Sequence, residues 1–204
     1  MKENTIIAIS RQYGSGGKEI SEIIARKMGI RCYDRQVLYL AAREIGADHV
    51  SIDSINRLAY SRSGIGDGAL TGVMGIGNIP VYNQMFLEQA KMIQKLASMG
   101  SAVFLGRCAD YVLREMSNCY TFFIYADREF KENRAKEYYD SVSVKDLEKE
   151  DRNRADYYKY YTGQQWGACE NYDMMLNTSK LSLEDASDLI LEYVARRQKN
   201  PAQM

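Results

Sequence analysis

The sequence predicts a single α/β domain, a parallel sheet with helices on both faces. Three observations lead there. Short runs such as "TIIAIS" (5–10), "SAVFLG" (101–106) and "CYTFFIYA" (119–126) are apolar throughout rather than alternating, the mark of strands covered on both faces. Segments of helical spacing separate these runs, so strand and helix follow each other repeatedly. The length, 204 residues, suits one ordinary domain with a full core.

Each element follows from local pattern. The run 5–10 is isoleucine-rich and reads as a buried strand. Beyond the glycines that follow, Ile20, Ile23, Ile24 and Met28 share a helical face, and Gly29 fits a C-terminal cap. "IRCYD" (30–34) is a short strand ending at Asp34, and "RQVLYLAAREIG" (35–46) is a helix that Gly46 closes. Residues 54–83 hold six of the 15 glycines and show no clean period. They read as a mobile loop region, either a plain surface loop or a lid.

Regularity returns in "QMFLEQAKMIQKLASMG" (84–100), a helix with Phe86, Ala90, Ile93 and Ala97 in register and Gly100 as cap. The strand 101–106 leads into a short helix, "CADYVLREM" (108–116). After the strand 119–126, Asp127 caps "REFKENRAKEYY" (128–139). Ser143 with Asp146 resembles a capping box for a charged helix running to about Tyr161. "YDMMLNTS" (172–179) is the fifth strand. Ser182 with Asp185 opens a final helix on which Leu189, Ile190, Tyr193 and Val194 share a face, and "RRQKNPAQM" (196–204) is a frayed tail.

Composition narrows the function classes. Lys+Arg and Asp+Glu both number 27, so the net charge is zero; a nucleic-acid binder ordinarily carries a basic excess. No apolar run approaches the roughly 18 residues of a membrane span, and "MKENTIIAIS" lacks a secretory signal core. Cys32, Cys108, Cys119 and Cys169 form neither a C-x-x-C pair nor a zinc spacing. The expectation is four reduced thiols in a cytoplasmic protein that engages neither nucleic acid nor membrane. His49, the only histidine, is expected at the surface.

In a parallel sheet ligands bind at the carboxyl ends of the strands. That directs attention to 10–19, 34–39, 106–111, 126–134 and 177–179. The first of these contains Gly14, Ser15, Gly16, Gly17 and Lys18 between a strand and a helix. Glycines let several backbone N–H groups face one point, the helix adds its positive end, and Lys18 offers a point charge. The order fits a phosphate loop of the form G-x-x-x-x-G-K-[S/T]. Gly17-Lys18 supplies the G-K pair, but Gln12 stands at the first glycine and Glu19 at the Ser/Thr that would hold magnesium. Ser15 and Ser21 are the candidate substitutes.

"SRQYGSGGKEIS", "CYDRQVLYLAA", "VFLGRCADYVL", "FFIYADREFKENR" and "YYKYYTGQQWG…NYDMMLNTSKLSLEDA" resemble, in that order, the cytidylate-kinase-like group of P-loop nucleoside monophosphate kinases. The resemblance implies a three-layer α/β/α P-loop kinase fold with a five-stranded parallel sheet and a helical lid. It implies ATP with Mg2+ as donor and a pyrimidine monophosphate such as CMP as acceptor. The chain 1–204 then forms one kinase-like domain, with 50–83 as a glycine-rich acceptor-side region and about 143–172 as the lid.

Site roles follow from the same resemblance. Gly14, Ser15, Gly16, Gly17, Lys18 and Glu19 surround the donor phosphates. Asp34 and Tyr39 match a D-x-x-x-x-Y motif near the acceptor, although Leu40 stands where an Arg is usual. Arg107 matches the G-R that faces the acceptor phosphate, followed here by Cys108 rather than Asp. Arg134 matches an acceptor-side arginine in the helix after the fourth strand. Arg152 and Arg154 match lid arginines that approach the transferring phosphoryl group. Lys18, Arg107, Arg152 and Arg154 are therefore the expected catalytic set. Phosphoryl transfer asks chiefly for alignment and positive charge around three equatorial oxygens, and the arginine fork suits that.

Two expectations come from the departures at Gln12, Glu19, Leu40 and Cys108. Magnesium binding is weak and mostly water-mediated, with no protein ligand assigned. A nucleotide-binding regulator that kept the fold and lost the chemistry is the rival to the enzyme, and a small-metabolite kinase is a third reading. Of the tyrosines Tyr157, Tyr158, Tyr160 and Tyr161, which do not fit one helical face, some are expected to be exposed or at ligand.

Overall fold

A computed structural model describes residues 4–44, 81–138 and 144–199. Five strands, β1 (Ile6–Arg11), β2 (Arg31–Tyr33), β3 (Ala102–Leu105), β4 (Cys119–Tyr125) and β5 (Met174–Asn177), form one sheet in the order β2-β3-β1-β4-β5. Every pairing is parallel. Helices α1 (Gly17–Met28), α2 (Gln36–Glu44), α3 (Val81–Met99), α4 (Ala109–Val112), α5 (Arg128–Tyr138), α6 (Val144–Thr162) and α7 (Leu183–Lys199) surround it. The predicted fold class and all five strands are present. The helix at 108–116 shortens to Ala109–Val112: left-handed backbone at Arg107 and Cys108 (φ 61° and 55°) starts it one residue late, and beyond Val112 tighter turns replace it, with the Arg114 N–H donating to the Tyr111 carbonyl and the Met116 N–H to the Leu113 carbonyl.

The central strand shows why these strands are apolar throughout. On one face Ile7 and Ile9 pack with Ile20 and Ile24 of α1 and Ile190 and Val194 of α7. On the other, Ile6 and Ala8 pack with Ile93 and Ala97 of α3 and with Phe104. Period two therefore feeds two cores, each fully buried isoleucine contributing on the order of 1.5–3 kcal/mol. The final helix opens as its sequence predicts: the Asp185 N–H donates to Ser182 Oγ at 3.0 Å.

Several expectations lie outside the described residues: the Gly46 cap, His49, residues 50–80 of the glycine-rich region, Ser143 of the capping box, and residues 200–204 of the tail. Among the described residues, no helix is long and apolar enough to cross a membrane. All four cysteines are free thiols.

Candidate functional site

The glycine loop leaves β1 at its carboxyl end and enters α1 at Gly17. Gly14 and Gly16 have φ of 76° and 80°, a backbone that L side chains rarely adopt, so the turn depends on them. The loop is tied at its base. Gln12 N–H donates to the Ile124 carbonyl at 2.9 Å, continuing the β1–β4 ladder. Gln12 Oε1 accepts from the Ala126 N–H (3.4 Å) and from Lys131 Nζ (3.2 Å). Gln12, which breaks the phosphate-loop pattern, thus serves as a strut between the loop, the end of β4 and α5.

Helix α6, the expected lid, contacts this loop. Asp151 Oδ1 accepts from the Tyr13 N–H at 2.6 Å, and its Oδ2 pairs with Lys131 Nζ at 3.2 Å. Arg154 donates from Nη1 to the Arg11 carbonyl at 3.0 Å and places its guanidinium 5.2 Å from the centre of the Tyr13 ring. Farther along α6, Tyr157 and Tyr158 are buried with Cys108, and Phe86, Tyr111, Tyr161 and Trp166 pack against them. Phe86 and Tyr161 stack at 4.0 Å between ring centroids with planes 9° apart. Tyr160, 42% exposed, is the tyrosine that faces out. Most of the tyrosine run is therefore an aromatic seam joining lid and core.

The turn after β3 is the strained part of the site. Arg107 and Cys108 are consecutive non-glycine residues in left-handed backbone, a conformation costing roughly 1–2 kcal/mol per residue. Gln89, fully buried on α3, holds the turn by donating to the Arg107 carbonyl at 3.2 Å. Ser10, Arg11, Gly106, Arg107, Cys108, Arg154, Tyr157, Tyr158 and Trp166 line a small cleft there, about 20 Å3 in volume. That is room for about one water molecule.

Beneath the cleft, Asp110 is buried with Tyr158 Oη donating to its Oδ2 at 2.7 Å and Ser10 Oγ donating to its Oδ1 at 3.4 Å. Burial pushes the Asp110 carboxyl from an ordinary 3.8 up to about 6, while the hydrogen bonds from Tyr158 and Ser10 oppose the shift. The Cys108 thiol is raised by burial and by the nearby Asp110 carboxylate.

The structure brings some expected residues together and separates others. Arg107 and Arg154 both line the cleft beside the loop. Arg152 lies on the outer side of α6, where its nearest carboxylate is Glu148 at 3.8 Å. Lys18 is 63% exposed, 3.8 Å from Glu22 one turn along α1. Arg134 pairs with Glu19 at 2.7 Å, beside the start of α1. Its helix follows β4, three strands away from β2 in the sheet order, a step of roughly 14 Å at the usual strand spacing. That places it on the loop side, away from Asp34. Asp34 faces Arg11 at 3.7 Å, while Tyr39 lines an open hollow of about 450 Å3 with Arg31, Tyr33, Gln36, Leu40 and Arg43.

Arg11, Lys131, Asp151 and Asp110 were not singled out from sequence. For Lys131 and Asp151 the available signal is position: each precedes an expected site residue by three positions, one helical turn.

The loop's own side chains do not fit direct ligation of magnesium. Ser15 Oγ donates to the Gln12 carbonyl at 2.8 Å and Ser21 Oγ to the Gly17 carbonyl at 2.7 Å, and both residues are fully buried. Glu19 is engaged by Arg134. Among the described residues, no three His, Cys, Asp or Glu side chains cluster closely enough to hold a metal.

The model of the cytidylate kinase-like family matches residues 6–180. No curated protein matches the chain. Among solved structures, an uncharacterized protein from Eubacterium ventriosum superposes with a TM-score of 0.68 at 24% identity, covering 95% of this chain and 99% of that one. A gluconokinase from Sinorhizobium meliloti gives a TM-score of 0.60 at 12% identity, with 97% and 95% covered. A shikimate kinase from Acinetobacter baumannii in complex with shikimate gives 0.53 at 13% identity, with 95% and 94% covered. These structures share the P-loop kinase fold.

Proposed function

The chain belongs to the cytidylate kinase-like family, and from that premise we propose that it transfers the γ-phosphoryl group of ATP to a nucleoside monophosphate such as CMP. Family and fold are those of phosphotransferases that act on small acceptors. The observation that carries the finer reading is that Arg107 and Arg154 both line one cleft at the carboxyl ends of β1 and β3, beside the glycine loop. Two guanidinium groups from separate elements, one held by a strained turn and one by a lid, suit an oxyanion-rich ligand better than a packing role.

In this reading the backbone of Gly14, Ser15, Gly16, Gly17 and Lys18 receives the donor phosphates at the start of α1. Arg107 holds the acceptor phosphate, with Asp34 and Tyr39 on the same side of the sheet. Arg154 enters from the lid and meets the phosphoryl group in flight, where charge stabilisation lowers the barrier. Arg134, paired with Glu19, braces the loop side. Magnesium, when it accompanies ATP, neutralises phosphate charge; with both loop serines bonded to backbone, its protein contacts run through water.

One observation favours the regulator reading instead. Asp151 occupies the Tyr13 N–H and the Lys131 ammonium, so the lid carboxylate sits where a donor anion would seek positive charge. A panel of nucleoside monophosphates, shikimate and gluconate with ATP and magnesium, read as ADP formed, decides among the readings. Turnover of a nucleoside monophosphate is expected. Turnover of shikimate or gluconate alone would replace the acceptor, and ATP binding with no turnover would favour the regulator.

A further inference from the structure

We propose that Arg11 supplies the glycine loop with its phosphate-facing cation; the inference rests on the kinase reading above and deepens it. Arg11 is the last residue of β1 and still pairs with Ile124 of β4. Its backbone is therefore fixed, and alternation puts its side chain on the face of Ile7 and Ile9, under α1. An apolar row ends in a guanidinium at the point where the chain turns toward the loop.

The two glycines along its path leave room for that side chain. A Cβ on Gly17, the first residue of α1, would lie 2.5 Å from Arg11 Cβ and 2.9 Å from its Cγ. A Cβ on Gly106, at the end of β3, would collide with Arg11 Nη1. Real Cβ atoms do not approach so closely, so any side chain at either position displaces Arg11. Glycine at both positions opens a channel from the loop to the β3 turn, and Arg11 fills it. Arg11 lines the cleft together with Arg107 and Arg154, and its guanidinium lies beside Gly106, which lines the same cleft, and 3.7 Å from Asp34. It thus stands between the donor loop and the acceptor side, where the transferring group passes.

The plainer account is a structural ion pair between Arg11 and Asp34. At 3.7 Å the contact is longer than the 2.7–2.9 Å of a charge-assisted hydrogen bond. Asp34 retains 30% exposure, and partly exposed pairs of this kind contribute little stability. A glycine kept clear for the stem, as Gly17 is, is more than such a pair requires. Lys18 points elsewhere, along the outer surface of α1 toward Glu22. Arg11 also offers what an ammonium does not: a rigid fork able to grip two equatorial oxygens at once. No covalent chemistry is asked of it, only charge placed before the reaction begins.

Arg11→Gln and Arg11→Lys test this, because both keep the aliphatic stem that lies against Gly17 and so hold the fold. Thermal midpoint is the folding control, and Mg-ATP and adenosine affinities are measured by calorimetry beside turnover of the active acceptor. Arg11→Gln is expected to lose on the order of a hundredfold or more in kcat with an unchanged midpoint. Arg11→Lys is expected to recover only part of that loss, because the ammonium restores the charge but not the fork. A purely structural role would instead move the midpoint and spare kcat. Full turnover by Arg11→Gln, or a larger loss in Lys18→Gln, would overturn the inference and leave the kinase reading standing. If the wild type binds ATP without turnover, Arg11→Gln is expected to weaken ATP about tenfold and adenosine not at all, and equal ATP affinity would overturn it. A wild type that binds no ATP would overturn both readings.

Discussion

Asp110→Asn removes a buried carboxylate whose titration falls near neutral pH, and its effect on stability has a sign that the structure fixes. The Asp110 carboxyl rises from 3.8 to about 6 because burial disfavours its charge. Between those two values the folded chain holds a proton that the unfolded chain has released. Stability from this group is therefore fully present below pH 3.8 and is lost as pH rises through about 6. Two-state linkage gives about 2 kcal/mol of added stability on moving from pH 7 to pH 4.5. In a chain of this size that corresponds to roughly 4–8 °C in the unfolding midpoint.

Other groups titrate over the same range, so the informative quantity is the difference between wild type and Asp110→Asn, whose amide does not titrate. Urea unfolding of both proteins at several pH values from 4.5 to 7.5 measures it. The wild type is expected to gain about 2 kcal/mol relative to the variant as pH falls. Near pH 7 the variant escapes the cost of a buried charge but weakens the hydrogen bond from Tyr158 Oη. These opposing effects are each of order 1.5–3 kcal/mol, so the two proteins should differ little there. Parallel pH profiles across the range would refute the reasoning, showing that Asp110 is solvated or already paired in solution.

Arg154→Ala should lower kcat on the order of a hundredfold with little change in ATP affinity, as expected of a transition-state contact, and Arg152→Ala should lose far less; equal losses would show that the lid rearranges more than its docked position implies. Magnesium titrated against nucleotide affinity should show weak coupling, since Ser15 and Ser21 donate to loop and helix carbonyls; strong coupling that a Ser15→Ala substitution abolishes would contradict this. Among the thiols, exposed Cys169 should react first with a disulfide reagent and buried Cys108, its thiol raised, last. Ile24→Ala, which empties a fully buried position between α1 and the sheet, should cost on the order of 2–5 kcal/mol in urea unfolding without changing the KM of the acceptor.

The fold was legible because its signals are local and repeated. Ile6 to Ile9 alternate between two cores, so a run without polar residues could belong only to a covered strand. Gly29 closes α1 with φ 67°, and Ser182 caps α7, as their positions foretold. The start of the helix after β3 was read one residue early because nothing in "GRCAD" announces that Arg107 and Cys108 take left-handed backbone. That conformation is enforced from outside the segment, by the Gln89 side chain on α3. Tertiary hydrogen bonds of this kind leave no trace in local pattern.

The site divides along the same line. Arg107 was singled out by resemblance, within a window that the end of a strand also marks, because ligands bind at the carboxyl ends of the strands. Arg154 was found by resemblance, yet its separation from Arg152 was not, because the choice depends on which face of α6 meets Tyr13 and Cys108. The glycine loop makes the point most directly. A linear motif assigns the charge to the residue after the last glycine, so attention falls on Lys18. One position into the helix, Lys18 already faces solvent. Arg11, the cation we propose for that role, comes from the strand side, seven residues earlier in the chain, through a gap beside Gly17 and Gly106. Those glycines look like permissive turn residues in the sequence. In the fold they are the absence of two side chains that Arg11 requires, and an absence acquires meaning only when the atom that fills it is placed.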